Sequence, residues 1–159
     1  MILETATFRS PIGTITLLAK EQALAGLDFG DRDARVRALR RHLERWLGPF
    51  ELRKTRDPAG AVSRLRAYFA GEITALDSQP VVLLGTPFQV EVWTALRTIP
   101  AGRTWSYRNL AERLGRPQAV PVIGHVHQPA AARTDERRIV HGARGAAIGM
   151  DTALVDEVG

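Results

Sequence analysis

The chain has 159 residues, of which 45% are hydrophobic and 25% charged, a composition typical of a folded protein with one domain or two small ones. No apolar run approaches the ~20 residues of a membrane-spanning helix, and the N-terminus lacks the features of a signal peptide. We therefore expect a cytoplasmic protein without a membrane partner. The absence of cysteine excludes disulfides, thiolate metal sites and cysteine nucleophiles.

The formal net charge of +5 is carried almost entirely by arginine, since Lys20 and Lys54 are the only lysines. Arginine forms bidentate contacts with phosphates and stacks on bases, so this bias is compatible with a nucleic-acid partner. A GC-rich genome would produce the same bias whatever the function. Charge alone leaves both interpretations open.

The first half of the chain predicts strands followed by helices. Residues 1–30 alternate as strands do, with a turn at residues 8–13 and β-rich runs at residues 14–19 and 25–29. Residues 33–47 have helical spacing, and their arginines are better explained as a solvated face than as a DNA-binding one. Asp57-Pro58 predicts the start of another helix that stops at Gly71, before a linker and an apolar strand at residues 81–84.

The second half predicts helices with well-marked ends. Thr86 and Pro87 open one helix, with Phe88, Val92, Trp93 and Leu96 on its apolar face. Ser106 is the predicted N-cap of the next helix, which Gly115 ends. The turn after Gly115 leads into a second short helix, and this arrangement is typical of a helix-turn-helix. Between Arg97 and His127 there are five arginines and one glutamate, which supports a DNA-binding role.

Short segments of both halves match a known pattern in order. They are SPIG at residues 10–13, YFAG at 68–71, GTPFQVEVW at 85–93, ALRTIPAG at 95–102 and TWSY at 104–107. In this order they resemble the signature of the O6-alkylguanine-DNA alkyltransferase family, from about residue 7 to residue 124. The resemblance implies an α+β fold, with an N-terminal ribonuclease-H-like α/β domain at 1–80. A mainly helical, winged helix-turn-helix-like DNA-binding domain would follow at 81–159, divergent after about residue 125.

The resemblance also implies the chemistry of the family. A helix-turn-helix binds the minor groove, the alkylated guanine is rotated out of the stack, and a cysteine thiolate takes the alkyl group by direct displacement. A tyrosine displaces the phosphate that rotates the nucleotide, and an arginine fills the gap in the duplex. No cofactor takes part, and the expected partner of a monomer is double-stranded DNA containing O6-alkylguanine.

Carried onto this sequence, the resemblance assigns a set of DNA-binding positions. Tyr107 falls on the phosphate-displacing tyrosine, although a core tyrosine packing the hairpin is the alternative interpretation. Pro121 stands at the position of the gap-filling arginine, where it could act only as an apolar wedge. The full predicted set is Ser106, Tyr107, Arg108, Gln118, Ala119, Pro121 and Gly124.

The active-site motif of the family is lost. Counting from Gly124 places the acceptor cysteine at Arg138, and counting back from residues 142–145 places it at Arg137. We therefore predict no catalytic residue, so the family's methyltransferase activity is in doubt. His125, His127 and His141 have no further ligands at useful spacing, and we predict no metal site.

Three functions remain open at this stage. The chain could be a lesion sensor that hands alkylated DNA to nucleotide excision repair, similar to the alkyltransferase-like proteins. It could be a degenerate member, whose reading frame changed after about Val120, with little recognition of damage. A helix-turn-helix regulator is the third, but its recognition helix would have few side chains that read bases.

Overall fold

The computed structural model describes residues 1–29, 33–100, 103–121 and 139–141; for 33–35 and 139–141 only the backbone is described. The chain divides into two compact units, Met1–Leu84 and Gly85–Gly159. The N-terminal unit is built from β1 (Ile2–Ser10), β2 (Gly13–Lys20), β3 (Ala23–Phe29), α1 (Asp33–Leu47), β4 (Glu51–Lys54) and α2 (Ala61–Phe69). The C-terminal unit contains α3 (Pro87–Leu96), β5 (Thr104–Ser106), α4 (Tyr107–Arg113) and β6 (Ile139–His141).

A four-stranded sheet in the order β3-β2-β1-β4 forms the N-terminal unit. The first three strands form an antiparallel meander, and β4 returns through α1 to pair parallel with β1. The central strand β2 is buried on both faces. Residues that pair across a sheet share a face, so the approach of Gly26 to Leu39 and Leu43 places α1 on the face of Leu18. On the opposite face, Phe8 of β1 stacks on Phe69 of α2 with ring centroids 6.1 Å apart.

The predicted helix at Asp57-Pro58 begins differently from expectation. Residues Pro58–Gly60 form a 3-10 turn, in which Ala59 and Gly60 have positive φ angles of 51° and 68°, and α2 starts only at Ala61. The left-handed pair interrupts any continuous helix from Pro58. Asp57 nevertheless caps α2, because its Oδ1 accepts the backbone N–H groups of Val62 at 2.7 Å and Ser63 at 3.2 Å.

The strand predicted at residues 81–84 is only a single β-bridge. Val81 pairs parallel with Leu24, whose N–H donates to Pro80 O and whose carbonyl accepts from Val82 N–H, both at 2.9 Å. Pro80 has no N–H, so the ladder cannot extend towards the N-terminus. The buried Gln79 side chain donates to Ala59 O and Pro80 O and fixes this end of the unit.

The fold class expected from the sequence is confirmed as a mixed α+β protein, with a sheet unit followed by a mainly helical one. The helix predicted at 33–47 is present as α1 over the same residues. Three short strands, β4, β5 and β6, were not predicted. Within the described part of the chain, no helix is both long and apolar enough to cross a membrane.

Candidate nucleic-acid interface

The C-terminal unit begins with a helix whose start is fully capped. Thr86 Oγ1 accepts the backbone N–H of Gln89 at 3.3 Å, and Gln89 Oε1 accepts the backbone N–H of Thr86 at 2.8 Å. This reciprocal capping box satisfies two backbone donors that a helix end would otherwise leave without partners. The predicted N-cap at Thr86 is therefore confirmed.

Gly85 is required by a close approach of Trp93. A Cβ atom at position 85 would lie 2.5 Å from Cζ3 and 2.7 Å from Cη2 of the Trp93 indole. Val92, Trp93 and Leu96 are buried as predicted, whereas Phe88 is half-exposed and lies beneath the Arg116 guanidinium. The segment GTPFQVEVW is thus explained in large part by how it starts and packs α3.

The second helix is capped in the same way. Ser106 Oγ accepts the backbone N–H of Asn109 at 3.1 Å, and Asn109 Oδ1 accepts the N–H of Ser106 at 3.2 Å. Tyr107, Leu110 and Ala111 form the buried face of α4. The helix ends at Arg113 with Leu114 as its C-cap, and Gly115 takes a φ of +67°, as the predicted glycine stop requires.

Arg116 fastens the turn after α4 to α3. Its guanidinium forms an ion pair with Glu91 at 3.0 Å and lies 5.1 Å from the centre of the Phe88 ring. The chain then enters a 3-10 turn at Pro117–Ala119 and continues as helix through Val120 and Pro121. The start of the predicted recognition helix is present, and the remainder lies outside the described residues.

The predicted DNA-binding residues differ in accessibility. Arg108, Gln118 and Pro121 are exposed, and Ser106 and Ala119 are half-buried. Tyr107 is only 1% exposed, which favours the packing interpretation of this tyrosine. Contact of its hydroxyl with a DNA phosphate stays a prediction and requires the side chain to move outwards. Gly124 lies outside the described residues.

A stacked pair of side chains, which the sequence did not predict, lies beside the cap of α4. The Arg113 guanidinium is centred 4.0 Å from the Trp105 ring. One shallow depression, lined by Trp105, Asn109, Glu112 and Arg113, lies beside this pair. A second is lined by Thr98, Pro100, Arg103, Thr104, Trp105 and Arg113. The only sequence signal was an aromatic residue immediately before an N-cap.

The segment that would contain the acceptor cysteine continues into β6. This strand pairs antiparallel with β5, so that Ile139 lies opposite Ser106 and Val140 opposite Trp105. Arg137 and Arg138 themselves lie outside the described residues, as do His125 and His127. Among the residues that are described, no group of three histidine, aspartate or glutamate side chains could hold a metal ion.

A sheet unit is followed by a capped helical hairpin rich in arginine, the arrangement that the sequence predicted for a DNA-binding region. The sequence model described as the ribonuclease-like domain of 6-O-methylguanine DNA methyltransferase matches residues 3–83. The model of the DNA binding domain of the same family matches residues 87–134. The chain belongs to this family of DNA-repair alkyltransferases, as an atypical member without cysteine.

Individual relatives agree with this assignment. The methylated-DNA--protein-cysteine methyltransferase of Mycolicibacterium paratuberculosis is 37% identical, over 96% of this chain and 87% of that protein. A crystal structure of the Mycobacterium tuberculosis O6-methylguanine methyltransferase has a TM-score of 0.62 and 32% identity, covering 79% of this chain and 69% of that one. The Mycobacterium tuberculosis OGT in complex with DNA has a TM-score of 0.58 and 34% identity, covering 80% of this chain and 69% of that one.

Proposed function

We propose that this protein binds double-stranded DNA through its helical hairpin and does not accept an alkyl group. The observation that carries the proposal is a hairpin with both helix caps intact in a chain that has no cysteine. The proposed surface consists of the predicted residues that face solvent, namely Arg108, Gln118 and Pro121, with Ser106 and Ala119 beside them. Gly124 belongs to the same predicted set.

The chemistry explains why loss of the cysteine removes the reaction. Direct displacement at the alkyl carbon requires an electron pair on a polarisable atom, and the thiolate supplies it in the family reaction. A guanidinium at position 137 or 138 is cationic, donates only, and has no electron pair to offer. The protein would therefore leave the alkyl group on the guanine.

The electrostatics of the hairpin support DNA as the partner. Five arginines and a single glutamate lie between residues 97 and 121, and an arginine-rich surface attracts the phosphate backbone independently of sequence. Pro121 stands where the family has an arginine that fills the gap left by a rotated base, and proline cannot donate the hydrogen bonds that this arginine would form there. We therefore expect the protein to bind duplex DNA in general, with little preference for a duplex that contains a damaged base.

Binding to matched duplexes tests the proposal. Affinities for an undamaged duplex and for the same duplex with one O6-methylguanine are measured by fluorescence anisotropy at several salt concentrations. We expect binding to both, weakening as salt rises. No measurable binding to either duplex would refute the proposed function.

The same experiment separates the two roles of such a protein. A clear preference for the O6-methylguanine duplex would support a sensor that passes the lesion to nucleotide excision repair. Equal affinities would support a degenerate member with general DNA binding. Reading the gene in its other two frames beyond residue 120 would then reveal whether a displaced proline-cysteine-histidine-arginine motif follows.

A further inference from the structure

The depression between Arg103 and Arg113 has the chemistry of a phosphate site. Of the described residues that line it, two are arginines and none is acidic. A neighbouring depression, which shares Trp105 and Arg113 with the first, includes Glu112, whose carboxylate would repel an anion. The two depressions therefore differ in charge, and only the first is suited to a phosphodiester.

Trp105 holds the Arg113 guanidinium in place. With its centre 4.0 Å from the ring, the guanidinium lies at a favourable cation–π distance, an arrangement that reduces the conformational entropy lost on binding an anion. Stacking uses the flat face of the guanidinium and leaves its N–H edge to donate to phosphate oxygens. Among the described residues Arg113 takes part in no ion pair, so no carboxylate there competes for that edge.

The hydroxyl groups that line the depression are distinguished by the hydrogen bonds that they already donate. Thr98 Oγ1 donates its hydrogen to Ala95 O at 2.6 Å and is therefore not a donor to a ligand. Thr104 is exposed at the start of β5. Arg103 is also exposed, and its backbone N–H donates to Pro100 O at 3.0 Å. Arg103, Arg113 and the Thr104 hydroxyl can donate to a phosphate.

We propose that Arg103, Arg113 and Thr104 bind a backbone phosphate of the DNA duplex beside the hairpin, with Trp105 as the positioning residue. The inference rests on the proposed DNA binding and extends its surface. Continuity supports DNA as the source of the phosphate, because Trp105 directly precedes Ser106, the N-cap of the hairpin helix. A duplex that contacts the hairpin would thereby gain one further phosphate contact.

Salt dependence measures this contact directly. Each phosphate contact on duplex DNA contributes about 0.9 to the slope of log affinity against log salt. Arg103→Gln and Arg113→Gln should each reduce affinity for an undamaged duplex several-fold and flatten the slope by up to that amount. Arg66→Gln, an exposed arginine of α2 in the N-terminal unit, is the matched control and should leave the slope unchanged.

The role of Trp105 has its own readout. Trp105→Ala should weaken binding by releasing Arg113, whereas Trp105→Phe should retain most of the affinity because a phenyl ring still stacks on a guanidinium. In the Arg113→Gln background, Trp105→Ala should cause little further loss, since the ring then has no arginine to position. Glu112→Gln, in the neighbouring depression, should not weaken binding.

The outcomes distinguish this inference from the proposed function. Wild-type slopes for both Arg103→Gln and Arg113→Gln, in a protein that binds DNA, would overturn the phosphate site and leave the hairpin interface standing. Equal losses for Trp105→Phe and Trp105→Ala would overturn the positioning role of the ring. A wild-type protein that does not bind DNA would overturn both proposals.

Discussion

The two units of the chain use their arginines differently. In the N-terminal unit thirteen basic residues face ten acidic ones, and two arginines form ion pairs, Arg40 with Glu44 and Arg53 with Glu4, both at 2.8 Å. In the hairpin region, residues 97–121, five arginines face one glutamate, and Arg113 is held by an aromatic ring instead. The net charge of the whole chain conceals this difference.

A positively charged side chain can stabilise the fold through a partner within the chain, or it can bind a partner molecule. A basic stretch such as that of α1 is dense in arginine, yet Arg40 binds Glu44, the Phe50 carbonyl and the Phe50 ring. Residues 97–121 contain fewer arginines and a single glutamate, and of these arginines Arg116 pairs with Glu91 of α3. A basic patch therefore has to be judged by its partners in the structure as well as by its sequence density.

The two tyrosines of the chain give the largest expected contrast. Tyr107→Ala should lower the free energy of unfolding by about 3–5 kcal/mol, because a fully buried aromatic ring leaves a cavity. Tyr68→Ala, at a half-buried ring in α2, should cost less. Urea unfolding followed by circular dichroism compares the two.

The conservative variant at the same position decides between packing and DNA contact. If Tyr107 only packs the hairpin, Tyr107→Phe should keep the affinity for DNA. A large loss of affinity in Tyr107→Phe, with stability retained, would instead assign its hydroxyl to a phosphate.

Alanine substitutions at Gly85 and Gly26 compare two close contacts. The contact in the C-terminal unit is rigid, whereas the one in the N-terminal unit can yield. Gly85→Ala drives a Cβ to within 2.7 Å of two indole carbons and should destabilise the protein by about 1–3 kcal/mol. In Gly26→Ala the nearest atoms are leucine methyl groups, at 3.1 Å and beyond, and these can rotate away. Thermal unfolding should therefore show the larger decrease for Gly85→Ala, and the reverse order would contradict the packing described for Trp93.

The helix caps of the two units should respond differently to acid. At Asp57 burial raises the pKa, but hydrogen bonds from Ser63 and Val62 and the charge of Arg64 outweigh it and hold the pKa below its ordinary value of 3.8. The carboxylate therefore stabilises the fold above pH 3.8, and this contribution is lost as the pH falls through the lower folded-state value. Ser106 has no titratable group in its cap.

The loss of stability on removing each cap, measured as a function of pH, tests this difference. Asp57→Ala and Ser106→Ala should each cost about 0.5–2 kcal/mol at neutral pH. The cost of Asp57→Ala should shrink below pH 3.8, while that of Ser106→Ala should not follow this titration. A pH-independent cost at Asp57 would show that its charge contributes nothing to the cap.

Replacing one exposed arginine in each unit should have the smallest effect of these substitutions. Arg108→Ala should weaken DNA binding by about 1 kcal/mol, equally for all duplex sequences, and reduce the salt slope by about 0.9. Arg66→Ala should change neither. Unchanged affinity for Arg108→Ala would remove this residue from the interface.

Local signals accounted for much of the fold. The bounds of α1 and the caps at Thr86 and Ser106 were predictable, because helical periodicity and capping depend on residues a few positions apart. β4 was missed, since Glu51–Lys54 has one apolar residue and becomes a strand only by pairing with β1. The three-residue strands β5 and β6 likewise depend on partners distant in sequence.

The candidate site was less predictable than the fold. The resemblance assigned Tyr107 to DNA, but its exposure depends on how α4 packs, which the motif does not encode. The stack of Arg113 on Trp105 joins residues eight positions apart across a strand and a helix, and no local pattern predicts it. The predicted position of the missing cysteine, Arg137 or Arg138, rests on counting residues alone and stays a prediction.

Transfer of a radiolabelled methyl group from O6-methylguanine duplex DNA tests the central claim most directly. The protein is incubated with excess labelled duplex, and the label is then followed in the protein and DNA fractions. A member of this family without an acceptor thiol should leave all of the label on the DNA. Stoichiometric label on the protein would contradict the claim and require a nucleophile other than cysteine.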